Sequence, residues 1–227
     1  MKEKSQSINL WQLKDIFVVI FVLLGVMLLY LGTAQLFGFD TAGIYYLIVS
    51  QIVFYLTIIF TVFYQVFINK KNNFRDFFGT ENFSKNIFWG VVGFVLLVFT
   101  ATLIDLISEK FIGIGSRDIY KGIDKNFLLS ISIVGVFFAP LAEEVFFRGF
   151  LQTYFVKKLG KIVGIAFICL IFAVSHVIYL QNMAAFLEIT FVGIILSSLK
   201  ESTNSLIPCI IAHFLNNLSA VILVLFI

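Results

Sequence analysis

Apolar residues run along this chain in long stretches separated by short polar connections, a pattern that predicts helices crossing a membrane. A spanning helix needs about 20 mostly apolar residues. The stretches Ile16–Phe37, Ile44–Ile68, Ile87–Ile107, Phe127–Val156, Ile162–Leu180, Met183–Leu199 and Leu206–Ile227 approach or exceed that length. A transmembrane barrel would show short segments of alternating polarity instead. The expected fold is therefore all-α, a polytopic membrane helical bundle of about seven transmembrane helices with its polar residues in the bundle core. The fourth stretch is long and holds Pro140, which lacks a backbone donor and so favours a kink or break there. The first run follows a short basic head (Lys2, Lys4, Lys14) and is longer than the 7–15 residues of a signal-peptide core, so it is expected to stay as a span.

Composition agrees. The chain is 60% hydrophobic and 13% charged, against about 25% charged in a soluble domain. The net charge of +3 comes from the connections, which points to membrane topology and away from nucleic acid. With the N-terminus inside, the inner connections hold Lys2, Lys4, Lys14, Lys70, Lys71, Arg75, Lys85, Lys157, Lys158, Lys161 and Lys200, and the outer ones Lys110, Arg117, Lys121 and Lys125. That bias predicts a multi-pass protein of the cell membrane with a cytoplasmic N-terminus. Asn73–Gly79 mixes aromatics with charges and is expected at the inner interface. Gly160 and Gly164 make a small-xxx-small pair that permits close helix approach.

Charge inside the apolar stretches is the candidate chemistry. Glu143, Glu144 and Arg148 fall within six residues of the fourth stretch, where each charge costs about 2.5–3.5 kcal/mol on insertion scales and so calls for a partner or a polar cavity. Residues four apart share a helix face, so Glu144 and Arg148 are neighbours and form a neutralising pair. Glu143 points away and is left for chemistry. If Pro140 opens a new helical segment, both glutamates lie near its N-terminus, where the dipole favours anions. The two histidines of the chain, His176 and His213, lie in two later apolar stretches, with Phe172 four before the first and Asn217 four after the second. At 1.5 Å per residue these groups reach one level in the bundle. Together they predict one buried polar site.

Such groups suit amide hydrolysis. A carboxylate and an imidazole together take a proton from water, and a second imidazole with an amide donor stabilises the oxyanion. Glu143, His176 and His213 could instead hold a divalent metal such as zinc, whose bound water attacks. Both mechanisms stay open at this level. A His-Glu-x-x-His helix is absent, and Ser175 beside His176 lacks a Gly-x-Ser-x-Gly turn. Cys209 and Cys169 lie four and seven residues before the two histidines, so a Cys₂His₂ metal site is geometrically possible, although packing is the commoner fate of such cysteines. Glu188 is a third embedded carboxylate, and Asp105 lies near a span end.

Glu143-Glu144-x-x-x-Arg148, Phe172-x-x-x-His176 and His213-x-x-x-Asn217, in that order on successive helices, resemble the CPBP family of intramembrane proteases, the CAAX-protease and bacteriocin-processing group also called Abi. The resemblance covers about Phe127 to Ala220. It implies a catalytic helical core over residues 127–227, preceded by a variable membrane part over residues 1–126 that carries none of the motifs. It also implies intramembrane endopeptidase activity. Glu143 and His176 would activate water, His213 and Asn217 would form the oxyanion site, and Arg148 would orient the glutamates. Both metal-dependent and metal-free mechanisms are associated with the family. Its eukaryotic members cut prenylated CAAX proteins. This short chain looks more like bacterial members linked to bacteriocin self-immunity or peptide maturation. The expected partners are a peptide or membrane-associated protein substrate and the lipid bilayer. The rival functions are a non-catalytic immunity or scaffold protein and, more remotely, a proton-coupled transporter.

Overall fold

The computed structural model describes residues 8–116, 118 and 122–226. Lys2, Lys4, Arg117 and Lys121, used in the charge count, lie outside the described residues, as does Ile227. Within them the chain is helical, with no strand among the described residues: α1 Leu13–Leu36, α2 Ile44–Phe63 running on through a π turn at Tyr64–Asn69, α3 Phe74–Phe78, α4 Phe83–Ile112, α5 Lys125–Phe137, α6 Ala139–Glu143, a π-helical segment Glu144–Gln152, α7 Thr153–Leu159, α8 Lys161–Ser175, a 3₁₀ turn Val177–Gln181, α9 Met183–Thr203 and α10 Ile207–Phe226.

Among the described residues, four helical segments are long and apolar enough to cross a membrane: Leu13–Leu36, Ile44–Asn69, Phe74–Ile112 and Met183–Thr203. The pair Lys125–Phe137 and Ala139–Leu159, bent by 43°, makes a fifth if counted as one span. The expected seven is therefore not reached by length and apolarity. Two of the expected spans, the fifth and seventh, correspond to shorter apolar helices, Lys161–Ser175 and Ile207–Leu223. The physical reason is clear for the fifth. Apolar sequence continues past His176 to Leu180, but the α-helix stops at Ser175 and the remainder is a 3₁₀ turn.

The bend lies where Pro140 requires it. Proline sits in the first turn of α6, where its missing N–H is one that a helix start leaves unpaired anyway. The π segment that follows widens the helix and exposes carbonyls. Thr153 Oγ1 donates to Arg148 O (3.4 Å), and Trp11 Nε1 donates to Phe150 O (3.1 Å). Trp11 also stacks on the Phe150 ring at 4.7 Å, so the chain before α1 pins this segment. Asp15 at the start of α1 pairs with Lys70 at 2.8 Å. Asn73–Gly79 becomes a short helix capped by Asn73, whose side chain accepts from Arg75 N, and ended by left-handed Gly79. Its Phe77 and Phe78 are buried, and Ser205 Oγ donates to Phe78 O at 2.9 Å, tying it under the α9–α10 turn.

Close approaches set the packing. A Cβ on Gly90 would stand 2.7 Å from Ile211 Cγ2, and one on Gly93 2.8 Å from Leu199 Cδ2, so α4 lies tight against α10 and α9. The expected Gly160/Gly164 pair divides into two roles. Gly160 has φ +83 with open space around it and serves the α7–α8 turn, whereas a Cβ on Gly164 would meet the backbone of Val156 at 2.6 Å. Backbone cannot swing aside as a side chain can. Gly164→Val is therefore expected to destabilise the protein by about 1–3 kcal/mol or more through overpacking. Thermal unfolding in detergent measures it, and an unchanged midpoint would contradict this account of the hairpin.

Candidate active site

The bend, the π segment, the end of α8 and the middle of α10 bring the sequence-selected residues together. Glu144 Oε1 accepts from Arg148 Nη1 at 3.0 Å and from His213 Nδ1 at 2.8 Å. The neighbouring Glu143 turns its Oε2 toward both imidazoles, 3.7 Å from His176 Nε2 and 3.9 Å from His213 Nε2. The two glutamates thus divide as their angular separation suggests. Glu144 is a fully buried anchor, and Glu143, with its side chain 12% exposed, borders the cavity.

Arg148 is fully buried. Its guanidinium joins Glu144 to α9, with Nη2 3.4 Å from Gly193 O, and lies over the Phe172 ring at 4.2 Å. Gln152, one turn on, donates to Ser197 O (3.1 Å) and Glu201 Oε1 (2.9 Å), which extends the same seam along α9. Four buried polar atoms in this stretch have no protein partner: Glu143 Oε2, Glu144 Oε2, Arg148 Nε and Gln152 Oε1. Buried polar atoms without a protein partner are uncommon, and these four all fall between Glu143 and Gln152.

The partners of the ring nitrogens fix what the histidines present. His176 caps α8, with Nδ1 2.7 Å from Phe172 O. A carbonyl only accepts, so Nδ1 carries the proton and the neutral ring offers a lone pair at Nε2. His213 Nδ1 likewise donates to the Glu144 carboxylate, again leaving Nε2 for Glu143. A carboxylate behind an imidazole orients the ring, as in metal and triad sites. The Ser175 hydroxyl donates to Phe172 O at 2.8 Å, on the Nδ1 side of His176. Asn217 Nδ2 donates to Gly135 O at 3.0 Å. Gly135 is among the last residues of α5, whose carbonyls lack in-helix donors. Asn217 therefore supports the α5–α6 break, with its second amide hydrogen left over.

These groups line a cavity of about 210 Å³ that Glu143, His176, His213 and Asn217 share with Glu188, Tyr179 and Tyr55. Glu188 was recognisable as an embedded carboxylate, and the structure places it on the cavity wall. Tyr55 gave no signal, being one of eight tyrosines and lying in an ordinary apolar span. A larger apolar groove of about 520 Å³ between α8 and α9 contains none of these side chains.

Among the described residues no three His, Cys, Asp or Glu side chains are grouped so as to hold a metal ion. Glu143, His176 and His213 converge without forming such a cage. The cysteines are engaged with α9: Cys169 Sγ meets Ser197 Oγ at 3.6 Å and Cys209 Sγ meets Leu196 O at 3.3 Å. A Cys₂His₂ site is not formed.

Comparison with known proteins converges on the same segment. Residues 125–219 match the family described as type II CAAX prenyl endopeptidase Rce1-like. The chain is also similar to "Uncharacterized protein YpbD" of Bacillus subtilis (strain 168), 34% identical over 98 residues, which is 41% of this chain and 48% of the relative. The match thus spans about half the length of that relative. No solved structure matches the chain.

Proposed function

We propose, from the premise that residues 125–219 belong to the type II CAAX prenyl endopeptidase Rce1-like family, the CPBP/Abi group, that this helical membrane protein is an intramembrane endopeptidase. The observation that carries this reading is the position of Glu143 Oε2, buried and unpaired between two histidine Nε2 atoms at the wall of a polar cavity. Glu143 takes a proton from water as the water oxygen attacks the scissile carbonyl carbon. The C–N bond then breaks and the proton passes to the leaving amine. His176 shares the proton through Nε2. The second amide hydrogen of Asn217 stabilises the oxyanion, and His213, held by Glu144, joins it when its Nε2 also carries a proton. Arg148 neutralises Glu144 and keeps it an acceptor for His213. The substrate is a peptide or membrane-associated protein, cut in the plane of the cell membrane, with the N-terminus of the enzyme cytoplasmic.

The test is the purified protein in a bilayer with a quenched peptide library and mass spectrometry of the products. Wild type should release paired internal fragments that Glu143→Gln does not. Equal cleavage by both would sink the endopeptidase reading, and toxin protection by Glu143→Gln in cells would favour a non-catalytic immunity or scaffold role. We take Glu143 and His176 themselves to activate the water. Chelation should leave turnover within about twofold, a much smaller change than loss of general-base catalysis. A loss restored by zinc would instead make Glu143, His176 and His213 its ligands.

A further inference from the structure

Glu143 and Glu144 are held very differently. Glu144 accepts two charge-assisted hydrogen bonds, from Arg148 and His213. The histidines facing Glu143 stand at 3.7 and 3.9 Å, beyond hydrogen-bond reach. The last torsion of a glutamate is broad and roughly two-fold, so a carboxylate without a donor would not keep one oxygen turned toward the imidazoles. A candidate donor stands outside the family-matched segment. Helix α2 packs on α5, α6 and the π segment. From it Tyr55 lines the same cavity as Glu143, His176 and His213, near enough for its phenol and the Glu143 carboxylate to interact electrostatically.

We infer that Tyr55 is a positioning residue: its hydroxyl fixes the rotation of the Glu143 carboxylate, so that the N-terminal part of the chain completes the site carried by residues 125–219. The inference deepens the proposed function and rests on it for its kinetic arm. A phenol suits this place because its ring packs among apolar helices while its hydroxyl reaches the polar wall. Phenylalanine keeps the ring and removes only the hydroxyl, which makes it the discriminating substitution.

The experiment compares full-length wild type, Tyr55→Phe and Glu143→Gln in bilayers, with two readouts. In the first, a peptide cut by wild type is turned over by Tyr55→Phe with kcat lower by about 10- to 100-fold and KM changed less than about twofold, as misplacement of a reacting group implies. The thermal midpoint stays with wild type. Full kcat in Tyr55→Phe overturns the inference and leaves the endopeptidase reading standing. The second readout needs no turnover. The carboxyl infrared band of Glu143, isolated as the band lost in Glu143→Gln, shifts in Tyr55→Phe when the phenol donor is removed. A band that does not move overturns the inference. A shifted band supports the positioning even if no peptide in the library is cut.

Discussion

Replacing Arg148 by alanine is expected to cost about 3–5 kcal/mol of stability, the usual consequence of leaving a buried charge without its partner. Arg148 and Glu144 both have fully buried side chains, 3.0 Å apart. Against a typical total of 5–15 kcal/mol, that loss would take a large share of the stability. Arg148→Lys should rescue only part of it. One ammonium cannot reproduce the guanidinium's contacts with Glu144, Gly193 O and the Phe172 face together. The double change Glu144→Gln with Arg148→Leu removes both charges and should recover stability relative to Arg148→Ala, without recovering activity, because His213 loses its carboxylate. Thermal unfolding and yield in detergent measure all three. An Arg148→Ala midpoint equal to wild type would show that the pair does not carry the structure.

The second large effect is on chemistry alone. Glu143→Gln and His176→Ala should each lower turnover by about 10²- to 10⁴-fold, the range of general acid–base catalysis. The double variant should be little worse than the worse single one, since residues that act as a unit are not additive. Glu143→Gln removes a charge from the cavity wall without changing shape and keeps a carbonyl oxygen as an acceptor, so the fold should hold. His176→Ala also uncaps Phe172 O at the end of α8, which costs up to about 1.5 kcal/mol for a neutral hydrogen bond. Its activity must therefore be compared at matched folded fraction. Additive losses in the double variant would mean that the two groups act in separate steps.

Much of this site was legible because helical spacing is local. Glu144 and Arg148, four apart, pair as expected even though their segment is π-helical. Pro140 marks the break because its missing donor is a covalent fact. Long-range geometry was less accessible. Sequence order places His213 on a late helix but not its rotation. Its Nδ1 proves committed to Glu144, which ties this ring to both glutamates more closely than an oxyanion role alone would require. Asn217 spends one amide hydrogen on Gly135 O, a carbonyl that becomes available only because α5 ends there. The fifth expected span runs past its helix at His176 for a related reason: hydropathy registers Val177–Leu180 as apolar but cannot register that a cap has ended the helix. Tyr55 was invisible, since its polar end matters only once α2 is laid against α6.

The most direct measurement is the turnover of one cleaved peptide by wild type and by Glu143→Gln, reconstituted in the same bilayer and matched for folded protein by thermal unfolding. If Glu143 activates the attacking water, the wild-type rate exceeds that of the variant by at least about 10²-fold. Equal rates would contradict hydrolysis by Glu143.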